Sequence, residues 1–160
     1  MSSFNRRTVL LSLAALAGCG FEPVYGPGSV SERLRGRIVV DPPVDDEGYA
    51  LVRRLEDRLG QPTTADLRLT ANIGISEQAV GFLPEGSISR YNVLGRVTWS
   101  VTRQRDGKRA GSGSEQAFTS YSATSTTVAT IFARRDARER LMIILADRIV
   151  ASIMAGDFRE

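Results

Sequence analysis

The chain has 160 residues, with 21 lysines and arginines against 18 aspartates and glutamates, no histidine and a single cysteine. The missing histidine excludes Ser-His-Asp and Cys-His catalysis, and the composition removes the usual zinc and haem ligand sets. One cysteine cannot close a disulfide within the chain, so stability must come from an apolar core, which 42% hydrophobic residues can supply.

The first segment reads Asn5-Arg6-Arg7, then an apolar run from Thr8 to Ala17, then Gly18-Cys19-Gly20. Cations, a short apolar run and small residues at its end are the layout of an export signal. The run is too short to span a bilayer, which needs about 20 apolar residues. Leu16-Ala17-Gly18-Cys19 resembles the lipobox of bacterial lipoproteins, in which the cysteine thiol takes a diacylglyceryl group and the bond before it is cut. Cys19 is therefore the expected lipidation site, and residues 1–18 the expected signal peptide. Sec export is the default expectation, although Arg6-Arg7 also resembles a twin-arginine signal. Loss of Arg6 and Arg7 leaves 19 cations against 18 carboxylates, so the mature chain is nearly neutral. A nucleic-acid binder would show a clustered basic excess, and that class is set aside.

Residues 19–34 contain Pro23, Gly26, Pro27 and Gly28 and are expected to form a flexible tether, leaving 35–160 as a single domain. Within the tether, Phe21, Val24 and Tyr25 can rest on the domain or at the lipid headgroups. Arg37 to Val40, stopped by Pro42-Pro43, reads as a short strand. Asp45 or Asp46 can cap a helix to about Gly60, with Leu51, Val52, Leu55 and Leu59 on one stripe. Arg53, Arg54, Glu56, Asp57 and Arg58 then form a solvated face. Asp66 to Ser76 alternates, with Leu67, Leu69, Ala71, Ile73 and Ile75 on one side and Arg68, Thr70 and Asn72 on the other. Phe82 to Ser87 reads as a turn. Ile88 to Gln104 alternates again, with Tyr91, Val93, Val97, Trp99 and Val101 opposite Arg90, Asn92, Arg96 and Thr98, and with Leu94 on the polar side. Arg105-Asp106-Gly107-Lys108 is a hairpin turn, and Gly113 to Ala123 a third, weaker strand. Ser125 or Thr126 caps a long helix to about Ala155, whose apolar face takes in Ile131, Phe132, Leu141, Leu145, Ile149 and Ile153. Arg135 with Glu139, and Asp136 with Arg140, are i,i+4 pairs on its outer side. The order β-α-β-β-β-α predicts an α+β two-layer sandwich, a four-stranded, mostly antiparallel sheet covered on one face by two helices.

No phosphate loop, metal-ligand spacing or nucleophile elbow is present. Asp45-Asp46-Glu47 suits a helix N-terminus without any catalytic role, and Trp99, Met142 and Met154 read as packing. The uncovered sheet face carries Arg68, Arg90 and Arg96. It is either a solvated face or a surface for a phosphate-bearing lipid or a partner's polar wall, since arginine's planar fork grips phosphate bidentately. Arg103 with the turn residues Arg105, Lys108 and Arg109 is a second candidate contact.

The start Cys19-Gly20-Phe21-Glu22-Pro23-Val24-Tyr25-Gly26, followed by this element order, resembles the lipopolysaccharide-assembly lipoproteins of the alphaproteobacterial type, the E subunit of the Lpt machinery. The resemblance implies an outer-membrane lipoprotein anchored by its acyl chains on the periplasmic leaflet. It also implies a role as plug and assembly factor of a large β-barrel, the D subunit, that inserts lipopolysaccharide into the outer leaflet; the absent catalytic and ligand motifs separately lead to the expectation of no enzymatic activity and no cofactor. Gly20 after the cysteine is compatible with outer-membrane sorting. The family's lipopolysaccharide contacts do not transfer by motif; only Cys19 does. The competing reading is a lipoprotein binding module for peptidoglycan or lipid with no barrel partner.

Overall fold

The computed structural model describes residues 30–123 and 126–156. A short helical turn, α1 (Val30–Leu34), precedes β1 (Ile38–Val40), α2 (Asp46–Leu59), β2 (Leu67–Phe82), β3 (Ile88–Arg103), β4 (Arg109–Ser122) and α3 (Thr127–Ala155). The sheet order is β1-β2-β3-β4. β1 runs parallel to β2 over three rungs, Ile38 opposite Leu67 to Val40 opposite Leu69. A parallel pair needs a crossover, and α2 supplies it. The other two pairings are antiparallel hairpins, so the sheet is mixed, and the expected sandwich of one sheet backed by two helices is what forms.

The helix starts follow from capping chemistry. The Asp45 carboxylate accepts the Gly48 N–H at 2.6 Å at the start of α2, and Thr126 Oγ1 accepts the Ala129 N–H at 3.2 Å at the start of α3. Leu51, Leu55 and Leu59 of α2 and Leu141, Leu145, Ile149 and Ile153 of α3 are all buried. The inward residues of the sheet, Leu69, Val93, Val97, Trp99 and Val101, complete one continuous core with them. Each such side chain withdrawn from water contributes about 1.5–3 kcal/mol before entropy is subtracted.

α3 lies across β3 and β4, while α2 packs on α3 and on β1. Two glycines set the spacing. A Cβ on Gly95 would sit 2.9 Å from both Leu141 Cδ2 and Leu145 Cδ1, so the bare backbone lets α3 approach β3. A Cβ on Gly113 would sit 2.7 Å from Trp99 Cζ2, and the indole therefore lies across its cross-strand partner.

Several expectations change, and β4 starts at Arg109, four residues before the expected Gly113. Residues 30–34, placed in the tether, form a helical turn, and Leu34 is buried against the core. β2 continues past Ser76 to Phe82, with a register irregularity after Ala79. Ile131 and Phe132, expected on the apolar face of α3, are 58% and 66% exposed.

Candidate functional site

Strand alternation sorts the outward positions, and the structure keeps the predicted parity along β2 and β3. Arg68, Arg90 and Arg96 all stand on the open sheet face, with Leu94 among them. They do not converge. Arg68 sits on the rung of Thr102, Arg96 six residues along β3 and Arg90 six further, so neighbours are about 20 Å apart. One phosphate headgroup cannot be gripped by all three. Arg68 is also occupied, donating to Asp41 Oδ1 at 2.7 Å while Thr70 Oγ1 donates to Asp41 Oδ2 at 2.8 Å. Among the described residues neither Arg90 nor Arg96 has an ion pair.

The β3–β4 turn is the second candidate. Its backbone is closed by Arg103 N–H donating to the Lys108 carbonyl at 2.8 Å, and Gly107 takes a left-handed φ of 66°. Arg105, Lys108 and Arg109 are exposed, and Arg103 is half-buried with its Nε 3.8 Å from Asp106 Oδ1. The Lys108 backbone N–H and the surrounding cations hold the Asp106 carboxyl below its usual range. Arg109 shares the Thr102 rung with Arg68, two strands away, a neighbourhood that sequence spacing did not reveal. Cys19 lies outside the described residues.

Sequence reasoning missed the ionic clamp between the layers. Glu77 follows the inward parity of β2 and meets α3 where the apolar core ends. Its Oε1 accepts Arg138 Nη2 at 2.8 Å and Nε at 3.1 Å, and its Oε2 accepts the Tyr121 hydroxyl at 3.0 Å. Arg134 Nε lies 3.2 Å from both Glu77 Oε2 and the Tyr121 oxygen, and Arg138 Nη1 reaches Glu47 of α2 at 2.8 Å. Tyr91 stacks on Tyr121 at 5.3 Å between centroids. Burial pushes the Glu77 carboxyl up, but the hydrogen bonds from Arg138 and Tyr121 and the charges of both arginines outweigh it, and its pKa is lowered. The clamp ties β2, β4, α2 and α3 together. The available signal was Glu77 at an inward strand position with Arg134 and Arg138 one helical turn apart.

Other charged residues also find partners that periodicity did not predict. Arg54 and Arg58, read as a solvated face, pair with Asp147 of α3 at 3.0 Å and 3.4 Å. Arg135 reaches Asp46 at 3.6 Å, whereas Arg140 pairs with Asp136 as expected. A groove of about 910 Å³ between α2 and α3 is open to solvent and lined by Tyr49, Arg53, Asp57, Ile131, Arg135 and Glu139. Among the described residues no acidic or thiol cluster could hold a metal ion, and no helix is long and apolar enough to cross a membrane.

The fold and its surfaces define a two-layer α+β sandwich with one helix-covered sheet face, one open polar face and a charged seam between the helices. A family model described as lipopolysaccharide-assembly matches residues 36–153, and the chain belongs to that family, LptE. Curated protein sequences yield no match. A lipoprotein from Caulobacter crescentus shares the fold with a TM-score of 0.66 and 22% identity, covering 79% of this chain and 93% of that one. The rare lipoprotein B of Shewanella oneidensis is similar with a TM-score of 0.57 and 17% identity, covering 74% and 92%. A lipoprotein B from Nitrosomonas europaea gives 0.56 at 11% identity, covering 85% and 91%.

Proposed function

We propose that the mature protein is an outer-membrane lipoprotein, anchored through acyl chains on Cys19 to the periplasmic leaflet. It acts as plug and assembly factor for a large β-barrel that inserts lipopolysaccharide into the outer leaflet. The family match over residues 36–153 carries this reading. The open sheet face supports it physically, because a barrel lumen is polar and a plug must present a hydrophilic exterior around its own core. The alternative, a stand-alone lipid carrier, calls for an apolar chamber between sheet and helices. The large groove instead lies between the two helices and is lined with charge.

Depletion of the protein in its native host tests the proposal. Newly made lipopolysaccharide reaching the cell surface is expected to fall severalfold, together with the folded form of the barrel. Unchanged surface lipopolysaccharide after full depletion would contradict it.

A further inference from the structure

We propose that the open face of β2, β3 and β4, centred on Leu94 and Phe118 and flanked by Arg90 and Arg96, is the surface that docks against a carboxylate-bearing inner wall of the barrel. The inference rests on the barrel reading above and adds to it the face, the charge of the partner and the contact centre.

Four observations carry it. First, the outward positions of β2, β3 and β4 are dominated by Ser, Thr, Asn and Gln and include no Asp or Glu. Arg68 is neutralised by Asp41, which leaves Arg90 and Arg96, with Arg109 on the Thr102 rung, as positive charge without an ion pair among the described residues, on a face without acids of its own. A complementary partner supplies carboxylates. Second, Leu94 and Phe118 are directly cross-strand, 40% and 67% exposed, and form an apolar pair in the middle of this polar carpet. An apolar centre inside a polar rim is the usual anatomy of a protein contact. Third, the area suffices: three strands about 4.8 Å apart and about 46 Å long present roughly 650 Å², close to one side of a standard interface.

Fourth, the outer edge of β4 is partly capped by α3. The carbonyls of Gln116 and Ser120 point away from β3 and accept from Arg148 and Arg140 of α3, the latter at 3.3 Å. Eight helical residues rise about 12 Å and four strand residues about 13 Å, so the two arginines match the two carbonyls. Strand addition along this edge would have to displace both arginines, which favours contact through the flat face. A second copy of the chain is a poor occupant, since a two-fold contact would set two carboxylate-free, arginine-bearing faces against each other.

The test uses the full-length lipidated protein in its native host, with a photo-crosslinking residue at Leu94 or Phe118, and at Tyr49 or Phe132 on the helix side. Adducts from positions 94 and 118 that map to lumen-facing residues of a heat-modifiable barrel are expected, with none from 49 and 132. In parallel, Arg90→Glu with Arg96→Glu is expected to lower the co-purified barrel about tenfold or more, while the double lysine variant retains it. Both arginines are exposed, and circular dichroism checks that the fold is kept. Barrel adducts from the helix side alone would overturn the assignment of the face while leaving the barrel reading standing. Adducts from 94 and 118 to lipid or to a second copy would overturn the assignment as well. No barrel adduct from any of the four positions, together with no barrel in the purified material, would sink the underlying reading.

Discussion

A Cys19→Ser chain is expected to accumulate as an uncleaved precursor and to be lost from the outer-membrane fraction. A serine hydroxyl is a much poorer nucleophile than a thiolate, so the diacylglyceryl group is not expected to be accepted, nor the cut that accompanies it in lipobox proteins to follow. Each buried methylene of an acyl chain contributes about 0.8 kcal/mol, and a single chain holds only marginally. Several chains on one residue make anchoring effectively irreversible, so the difference between the two proteins is close to all-or-none. Immunoblotting of fractionated cells measures it. Normal cleavage and normal outer-membrane recovery of the variant would show that Cys19 is not the anchor.

Glu77→Ala is expected to destabilise the folded domain by about 1–3 kcal/mol at neutral pH. The carboxylate side chain is 16% exposed and accepts from Arg138 and Tyr121, with Arg134 beside it. Its removal takes the acceptor from the tyrosine hydroxyl and leaves Arg138 with Glu47 alone and Arg134 with the Tyr121 oxygen alone, and a buried polar group that loses its partner costs about 1–3 kcal/mol. The arginines keep 35% and 48% of their side-chain surface in water, which holds the effect below that of a fully buried pair.

The pH dependence has a definite sign. The folded-state pKa of Glu77 is lowered from 4.5, so its contribution is present above about 4.5 and is lost as pH falls through the lower folded value. Urea midpoints of wild type and Glu77→Gln, which keeps the shape and drops the charge, are expected to differ at pH 7 and to draw together progressively as the pH is lowered below about 4.5. A gap that stays constant over the whole titration would show that the clamp is packing without charge.

Much of the fold can be read from local pattern because each strand has one buried face. The alternation from Leu67 to Ile75 and from Tyr91 to Val101 places the same residues inward that the structure buries or half-buries. Asp45 and Thr126 mark the helix starts through capping that needs no tertiary contact. The clamp was not legible, since an acid at an inward strand position signals a partner only when that partner's place is known. The same cluster explains Ile131 and Phe132. The sheet-facing stripe of α3 runs back from Leu141 through Arg138 to Arg134, where it turns ionic, and one turn further there is no apolar layer to enter. Arg68, Arg90 and Arg96 share a face by parity, as expected. Their 20 Å spacing depends on register, and the neutralisation of Arg68 depends on Asp41 at the end of a separate strand.

The most direct measurement is to purify the lipidated protein from its native membranes in mild detergent and identify what accompanies it. The account predicts a large, heat-modifiable β-barrel in one-to-one ratio, retained through size exclusion. Recovery of the lipidated protein alone, or bound to the sacculus without a barrel, would contradict it.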